Sequence, residues 1–173
     1  QDSIVYDGQL SRVTALQNAA VANVYGIQAG FEIKLPSGFG LSGNFNYQMG
    51  EEELGDGSTS ASRHAAPFFG IARLSYSRNK LDLQLYTAFQ GERKHENLAF
   101  EEQAKTEIYA LNSSGETYSP AWYTLNIKGK YRISEFLSVA AGVENITDQS
   151  FRPYSSGLSG AGRNFILSLT AQF

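Results

Sequence analysis

From Asn164 to the end of the chain every second residue is apolar: Phe165, Leu167, Leu169, Ala171 and Phe173. The intervening Asn164, Ile166, Ser168, Thr170 and Gln172 are mostly polar. A strict period of two places successive side chains on opposite faces of an extended strand, and no helix accommodates it. The same pattern runs upstream. Leu137, Val139, Ala141 and Val143 alternate with Ser138, Ala140, Gly142 and Glu144. Before them Tyr123, Leu125, Ile127, Gly129, Tyr131 and Ile133 alternate with Thr124, Asn126, Lys128, Lys130 and Arg132. A row holding Lys128, Lys130 and Arg132 cannot face lipid, so it must face water.

Shorter or similar runs centre on residues 72–77 and 81–86, and longer ones on residues 39–49 and 25–35. Together they predict about seven long strands, each near the ~10 residues that a tilted membrane-crossing strand requires. Their connections alternate in length. Pro36-Ser37-Gly38, Ser77-Arg78-Asn79-Lys80 and Ser134-Glu135-Phe136 read as tight turns, whereas residues 50–66, 91–120 and 149–162 are long, polar loops. Short periplasmic turns and long extracellular loops are the arrangement of bacterial outer-membrane barrels. Residues 22–173 therefore read as barrel strands, and residues 1–21 as an outer loop or the end of a preceding strand. Within that first stretch only Ile4, Val5 and Tyr6 look extended, and Asp7 to Ala22 reads as loop.

A soluble β-sandwich also alternates apolar and polar residues. Two features favour lipid outside. The polar rows are small or amide in character (Asn44, Asn46, Gln48, Ser75, Gln84, Asn126), as a hydrated lumen requires. The apolar rows carry aromatics near their ends: Phe39 and Tyr47, Tyr123 and Tyr131, Phe165 and Phe173. Such pairs suit the two headgroup levels of a bilayer. The chain is 13% aromatic, with 10 Tyr and 11 Phe against one Trp. The expected fold class is all-β, an antiparallel transmembrane β-barrel segment of about seven or eight strands. Seven is odd, and single-chain bacterial barrels have even counts from about eight upward. Either residues 1–6 supply an eighth strand or the chain is part of a larger barrel.

Other classes are excluded by composition. With no cysteine there is no disulfide framework, thiolate metal site or cysteine nucleophile. A net charge of −3 argues against a nucleic-acid partner. No run approaches the ~18 apolar residues of a membrane helix. Gln1-Asp2-Ser3 has neither the basic start nor the apolar stretch of a signal peptide, so any export signal lies outside this sequence.

The last thirty or so residues are more specific. Gly142-Val143-Glu144-Asn145-Ile146-Thr147-Asp148, then Phe151-Arg152-Pro153-Tyr154, Ser156-Gly157-Leu158 and Gly162-Arg163-Asn164-Phe165 resemble the C-terminal signature of TonB-dependent receptors. Arg63, Pro67 and Gly70, and Pro120 and Trp122 before Thr124-Leu125-Asn126, are also similar to that family. The resemblance covers residues 22–173, with Ala161 standing where the family usually has Pro. It implies a barrel of roughly 22 strands around an N-terminal plug. An inner-membrane TonB complex, driven by the proton gradient, pulls on the plug, and a ferric siderophore, haem or cobalamin passes. Neither plug nor TonB box is in this sequence, which would then be the last third of the barrel. The implied location is the outer membrane of a Gram-negative bacterium. The implied partners are outer-membrane lipid, the plug and TonB complex, and the barrel-insertion machinery.

No catalytic constellation is present, and no enzyme activity or cofactor is expected. His64 and His95 fall in outer loops; a haem receptor would use such histidines on iron, while lone histidines are more often plain exposed polar residues. Arg152 lies in the same outer region and completes the candidate ligand contacts. Glu51-Glu52-Glu53 with Asp56 lacks the order of a calcium loop. Gly157, Gly160 and Gly162 lack the strand–helix context of a dinucleotide fingerprint and suit a mobile loop. Asn112-Ser113-Ser114 and Asn145-Ile146-Thr147 match a glycosylation pattern that matters only in eukaryotic secretion. Lys128, Lys130, Arg132 and Glu144, with Glu32, Lys34 and Asp82, would line the lumen and face the plug. The resemblance makes Phe173 the residue read by the insertion machinery. Two other readings stay open: a complete eight-strand barrel with a structural or adhesive role, and a soluble β-barrel for a lipophilic ligand.

Overall fold

The computed structural model describes residues 3–12, 21–63 and 65–172. Its strands are β1 (Ser3–Tyr6), β2 (Gln9–Arg12), β3 (Ala22–Lys34), β4 (Phe39–Glu53), β5 (Thr59–Ala61), β6 (Phe69–Arg78), β7 (Leu81–Gln90), β8 (Ala110–Leu111), β9 (Thr117–Tyr118), β10 (Trp122–Arg132), β11 (Leu137–Glu144) and β12 (Asn164–Ala171). Seven long strands form one sheet in the order β12-β11-β10-β7-β6-β4-β3, with β5 folded back on the outer end of β4. All its pairings are antiparallel.

Register decides which face each side chain takes, because a slip of one residue turns a whole strand over. Here the register lines up the apolar sets of all seven strands. Ile33, Leu41, Leu74, Leu85, Ile127, Val143 and Phe165 are successive cross-strand partners, so one apolar row crosses the entire sheet. On the opposite face the partners are Lys34, Gly40, Ser75, Gln84, Lys128, Gly142 and Ile166. The apolar face is bare: Ile27 is 73% exposed and Leu167 79%. No second layer packs on it among the described residues, so it is not the inner face of a sandwich. A contiguous apolar surface of this extent needs lipid against it.

The three tight turns sit together at one end. Ser37 and Gly38 take left-handed φ of 63° and 91°. A β-carbon on Gly38 would run into the Ser77 carbonyl, so only glycine fits there. Asn79, at φ 54°, turns β6 into β7, and the Lys80 ammonium donates to the Ile133 carbonyl at 3.2 Å, tying this turn to the next.

Two expectations change. The stretch from Asp7 to Ala22 is not loop throughout, since Gln9–Arg12 pairs with Ser3–Tyr6. Asp7 and Gly8 both take positive φ, 50° and 74°, the geometry that suits a two-residue hairpin. Among the described residues β1 pairs only with β2, so Ser3–Tyr6 does not add an eighth strand to the main sheet, and β3 and β12 are its edges. The loops at the far end are also more ordered than their polarity suggested. β4 continues to Glu53 and pairs with β5, while residues 91–120 contain two 3₁₀ turns and the β8–β9 hairpin. The described buried apolar residues, Ala65, Leu98, Ala99, Tyr109 and Tyr154, all lie in these loops. A single-layer sheet has no interior, so the core has formed in the cap.

Candidate functional site

The cap is built from the loops between β4 and β6, β7 and β10, and β11 and β12. Leu98, Tyr109 and Tyr154 form its core, with Ala66 and Ile108 packed against it. The Tyr109 and Tyr154 rings lie 6.2 Å apart, and the Arg93 guanidinium sits 5.6 Å from the Tyr154 ring. Arg93 also donates to the Ala65 carbonyl at 3.2 Å, and the Phe100 amide to Ser60 Oγ at 3.0 Å. Burial, reinforced by Glu102 beside it, pushes the Tyr109 phenol well above its ordinary pKa. Burial also raises Tyr154, against the opposing pull of Arg93.

The signature segment explains how the last loop is held. Asn145 is buried and takes φ 47°, a left-handed conformation that asparagine tolerates. Its side-chain amide donates to the carbonyls of Gln149 (2.8 Å) and Ala161 (3.0 Å), and its oxygen accepts from the Gln149 amide (3.0 Å). Its own backbone N–H donates to Asn126 Oδ1 at 2.8 Å. Asp148 accepts from the Arg163 amide at 2.7 Å, and Arg163 Nε donates to the Ile146 carbonyl at 3.0 Å. The Asn145–Asp148 and Gly162–Asn164 motifs thus form a clasp that closes a loop.

Two clefts open on the cap. One, of about 350 Å³, lies between the two later loops and is lined by Glu107, Tyr109, Trp122, Phe151 and Arg152 among others. Arg152 Nη1 donates to the Glu107 carbonyl at 2.7 Å, one of the five donors an arginine carries. The Trp122 and Phe151 ring centroids lie 4.3 Å apart, the planes tilted by 33°. The second, of about 400 Å³, is lined by Glu92, His95, Glu96, Asn112 and Tyr118. His95 Nδ1 lies 3.1 Å from both the Thr117 carbonyl and its Oγ1. The carbonyl can only accept, so Nδ1 is the donor in that contact. Arg152 and His95 therefore share the cap but not a cleft, and His64 lies outside the described residues. Among the described residues no three of His, Asp and Glu converge as a metal-binding group.

Lys128, Lys130, Arg132 and Glu144 lie on the polar face. Tyr86 Oη donates to Glu144 Oε1 at 3.0 Å, and the Lys128 ammonium stands 5.3 Å from the Tyr86 ring. Arg73 approaches that ring at 6.0 Å. Both ion pairs among the described residues, Arg63–Glu101 and Lys105–Glu102, are in the cap, so Lys128, Lys130 and Arg132 have no carboxylate partner there. Phe173 lies outside the described residues. The alternation exposed the polar-face charges in the sequence, but Glu102, Tyr109, Ser155 and the role of Asn145 were missed. Their contacts join positions far apart, and no periodicity marks them.

The fold defines the class: an antiparallel transmembrane β-barrel sheet with long loops gathered at one end. A profile of the TonB dependent receptor-like, beta-barrel family matches residues 1–146, and the chain belongs to that family. Members are outer-membrane proteins of Gram-negative bacteria. Similar solved structures include the copper transporter OprC (15% identity, TM-score 0.69, covering 88% of this chain and 24% of that one). Another is the FrpB iron transporter of Neisseria meningitidis (16%, 0.66, 88% and 23%). A third is the ferric enterobactin receptor PfeA of Pseudomonas aeruginosa, in an R480A mutant bound to enterobactin (21%, 0.62, 87% and 22%). The chain thus spans about a quarter of the length of these structures. A search among curated protein sequences finds no match.

Proposed function

We propose that this chain forms late strands of an active outer-membrane transporter that takes up a scarce nutrient, an iron complex being the favoured class. The observation that carries this reading is the apolar row from Ile33 to Phe165, backed by a charged polar face and capped by folded loops at one end only. That is a wall between lipid and a wet interior, with a ligand-facing end. The names of the similar structures, a copper transporter, an iron transporter and a ferric siderophore receptor, favour a metal complex as cargo. Their length supports a larger barrel of roughly 22 strands, to which this chain contributes a part.

In this reading Lys128, Lys130, Arg132 and Glu144 face the lumen and a plug domain coupled to the TonB complex. Arg152 and His95 contribute ligand contacts from the cap, His64 is a further candidate contact, and Phe173 serves the insertion machinery. Among the described residues the β10 cations pair with no carboxylate, and such charges favour a nearby acidic surface, which supports an occupied lumen. The test is uptake of radio-iron by iron-starved cells carrying or lacking the full-length gene. Loss of uptake on deletion, and on collapse of the proton gradient, is expected. Uptake that survives both would remove the transporter reading.

A further inference from the structure

Glu102 is 1% exposed, in a loop at the outer end of a membrane sheet, and carries a carboxylate. A buried charge is costly unless it is paired and hydrogen-bonded, and replacing such a group by packed apolar atoms is often neutral or stabilising. Its partners show what it joins. One oxygen accepts from Tyr109 Oη at 2.6 Å, within its own loop. The other accepts from Ser155 Oγ at 2.8 Å, across in the loop between β11 and β12, and has the Lys105 ammonium at 3.9 Å. Next to it the Tyr154 backbone amide donates to Gln90 Oε1 at 3.0 Å.

Ser155 takes φ 56°, a left-handed conformation that a serine adopts only at a cost. It is in this conformation that its hydroxyl makes the bond to Glu102. Around this tie the Tyr109 and Tyr154 rings lie 6.2 Å apart and the Arg93 guanidinium stands 5.6 Å from the Tyr154 ring, so the contact sits where the two loops pack. A charged bond between two loops, made on a serine in a left-handed conformation, has the properties of a latch rather than of a general packing contact.

We propose that Glu102 latches residues 91–121 to residues 145–163, so that the two loops open as one body and the Arg152 cleft between them is held in shape by this tie. The claim rests on reading that cleft as ligand-facing, but its test needs no ligand. Hydrogen exchange on the full receptor in detergent or nanodiscs would follow peptides covering 98–109 and 150–158. In the parent protein both segments should open together. Ser155→Ala removes the tie while leaving Tyr109 on Glu102. It should speed exchange in 150–158 by about 10- to 100-fold, the range for a lost hydrogen bond to a charged group, with 98–109 unchanged. Glu102→Ala should speed both segments, and Glu102→Gln, which keeps the shape and an acceptor, should restore most of the protection. Independent opening in the parent, or no change at 150–158 in Ser155→Ala, would overturn the proposal. The ligand-facing reading fails separately if Arg152→Ala leaves iron uptake intact.

Discussion

Asn145→Ala removes the centre of the clasp that closes the last loop. Three side-chain hydrogen bonds are lost, to the Gln149 carbonyl, the Gln149 amide and the Ala161 carbonyl. At roughly 0.5–1.5 kcal/mol net for each, this amounts to about 2–4 kcal/mol. Alanine at φ 47° adds about 1 kcal/mol, because its β-carbon crowds the following carbonyl without asparagine's local hydrogen bonding. The Asn126 side chain still receives the residue-145 backbone N–H, so β10 and the end of β11 should stay joined. Together these give about 3–5 kcal/mol, so the expected result is local opening, with exchange across residues 146–163 faster by about 100- to 5000-fold and the strands unaffected. Asn145→Gly, which accepts the backbone angle, separates the two terms and should recover only the smaller one. Unchanged protection at Gln149 and Arg163 in Asn145→Ala would refute the clasp.

Ile127→Lys, at the middle of the apolar row, should cost about 2–4 kcal/mol in a bilayer and reduce the folded outer-membrane fraction on a heat-modifiability gel. An equal fraction of folded protein would place that row away from lipid. Tyr109 and Tyr154 have phenols raised by burial, so stability from both is complete below the unfolded value near pH 10 and is lost as pH rises through the higher folded values. Spectrophotometric titration should show a late-ionising tyrosine signal that shrinks in Tyr109→Phe and in Tyr154→Phe. Gly38→Ala should slow or weaken assembly of the β3–β4 turn, seen as less folded protein, because the added methyl meets the Ser77 carbonyl.

The strands were legible because a membrane demands the same thing of every one of them. Lipid on one face and water on the other forces a period of two that Leu125 to Arg132 or Phe165 to Thr170 shows without a partner in view. The cap was not legible for the converse reason. Glu102 and Ser155 meet across 53 positions, and each looks like an ordinary polar loop residue. The Asn145 motif was visible as a family resemblance, yet its work as a clasp appears only when Gln149 and Ala161 are brought around it. The Asp7-Gly8 turn is a different case, since its dipeptide is a hairpin signal in its own right.

The central claim is that one face of this sheet meets lipid and the other water. Because the chain has no cysteine, single cysteines along β10 can carry spin labels without background from this segment. In the full receptor in liposomes, labels at Leu125, Ile127 and Tyr131 should collide with oxygen dissolved in the bilayer. Labels at Asn126, Lys128 and Lys130 should be shielded from it and reached by a water-soluble relaxant. A period-two alternation of that phase is predicted along the strand; a flat profile, or the opposite phase, would contradict the account.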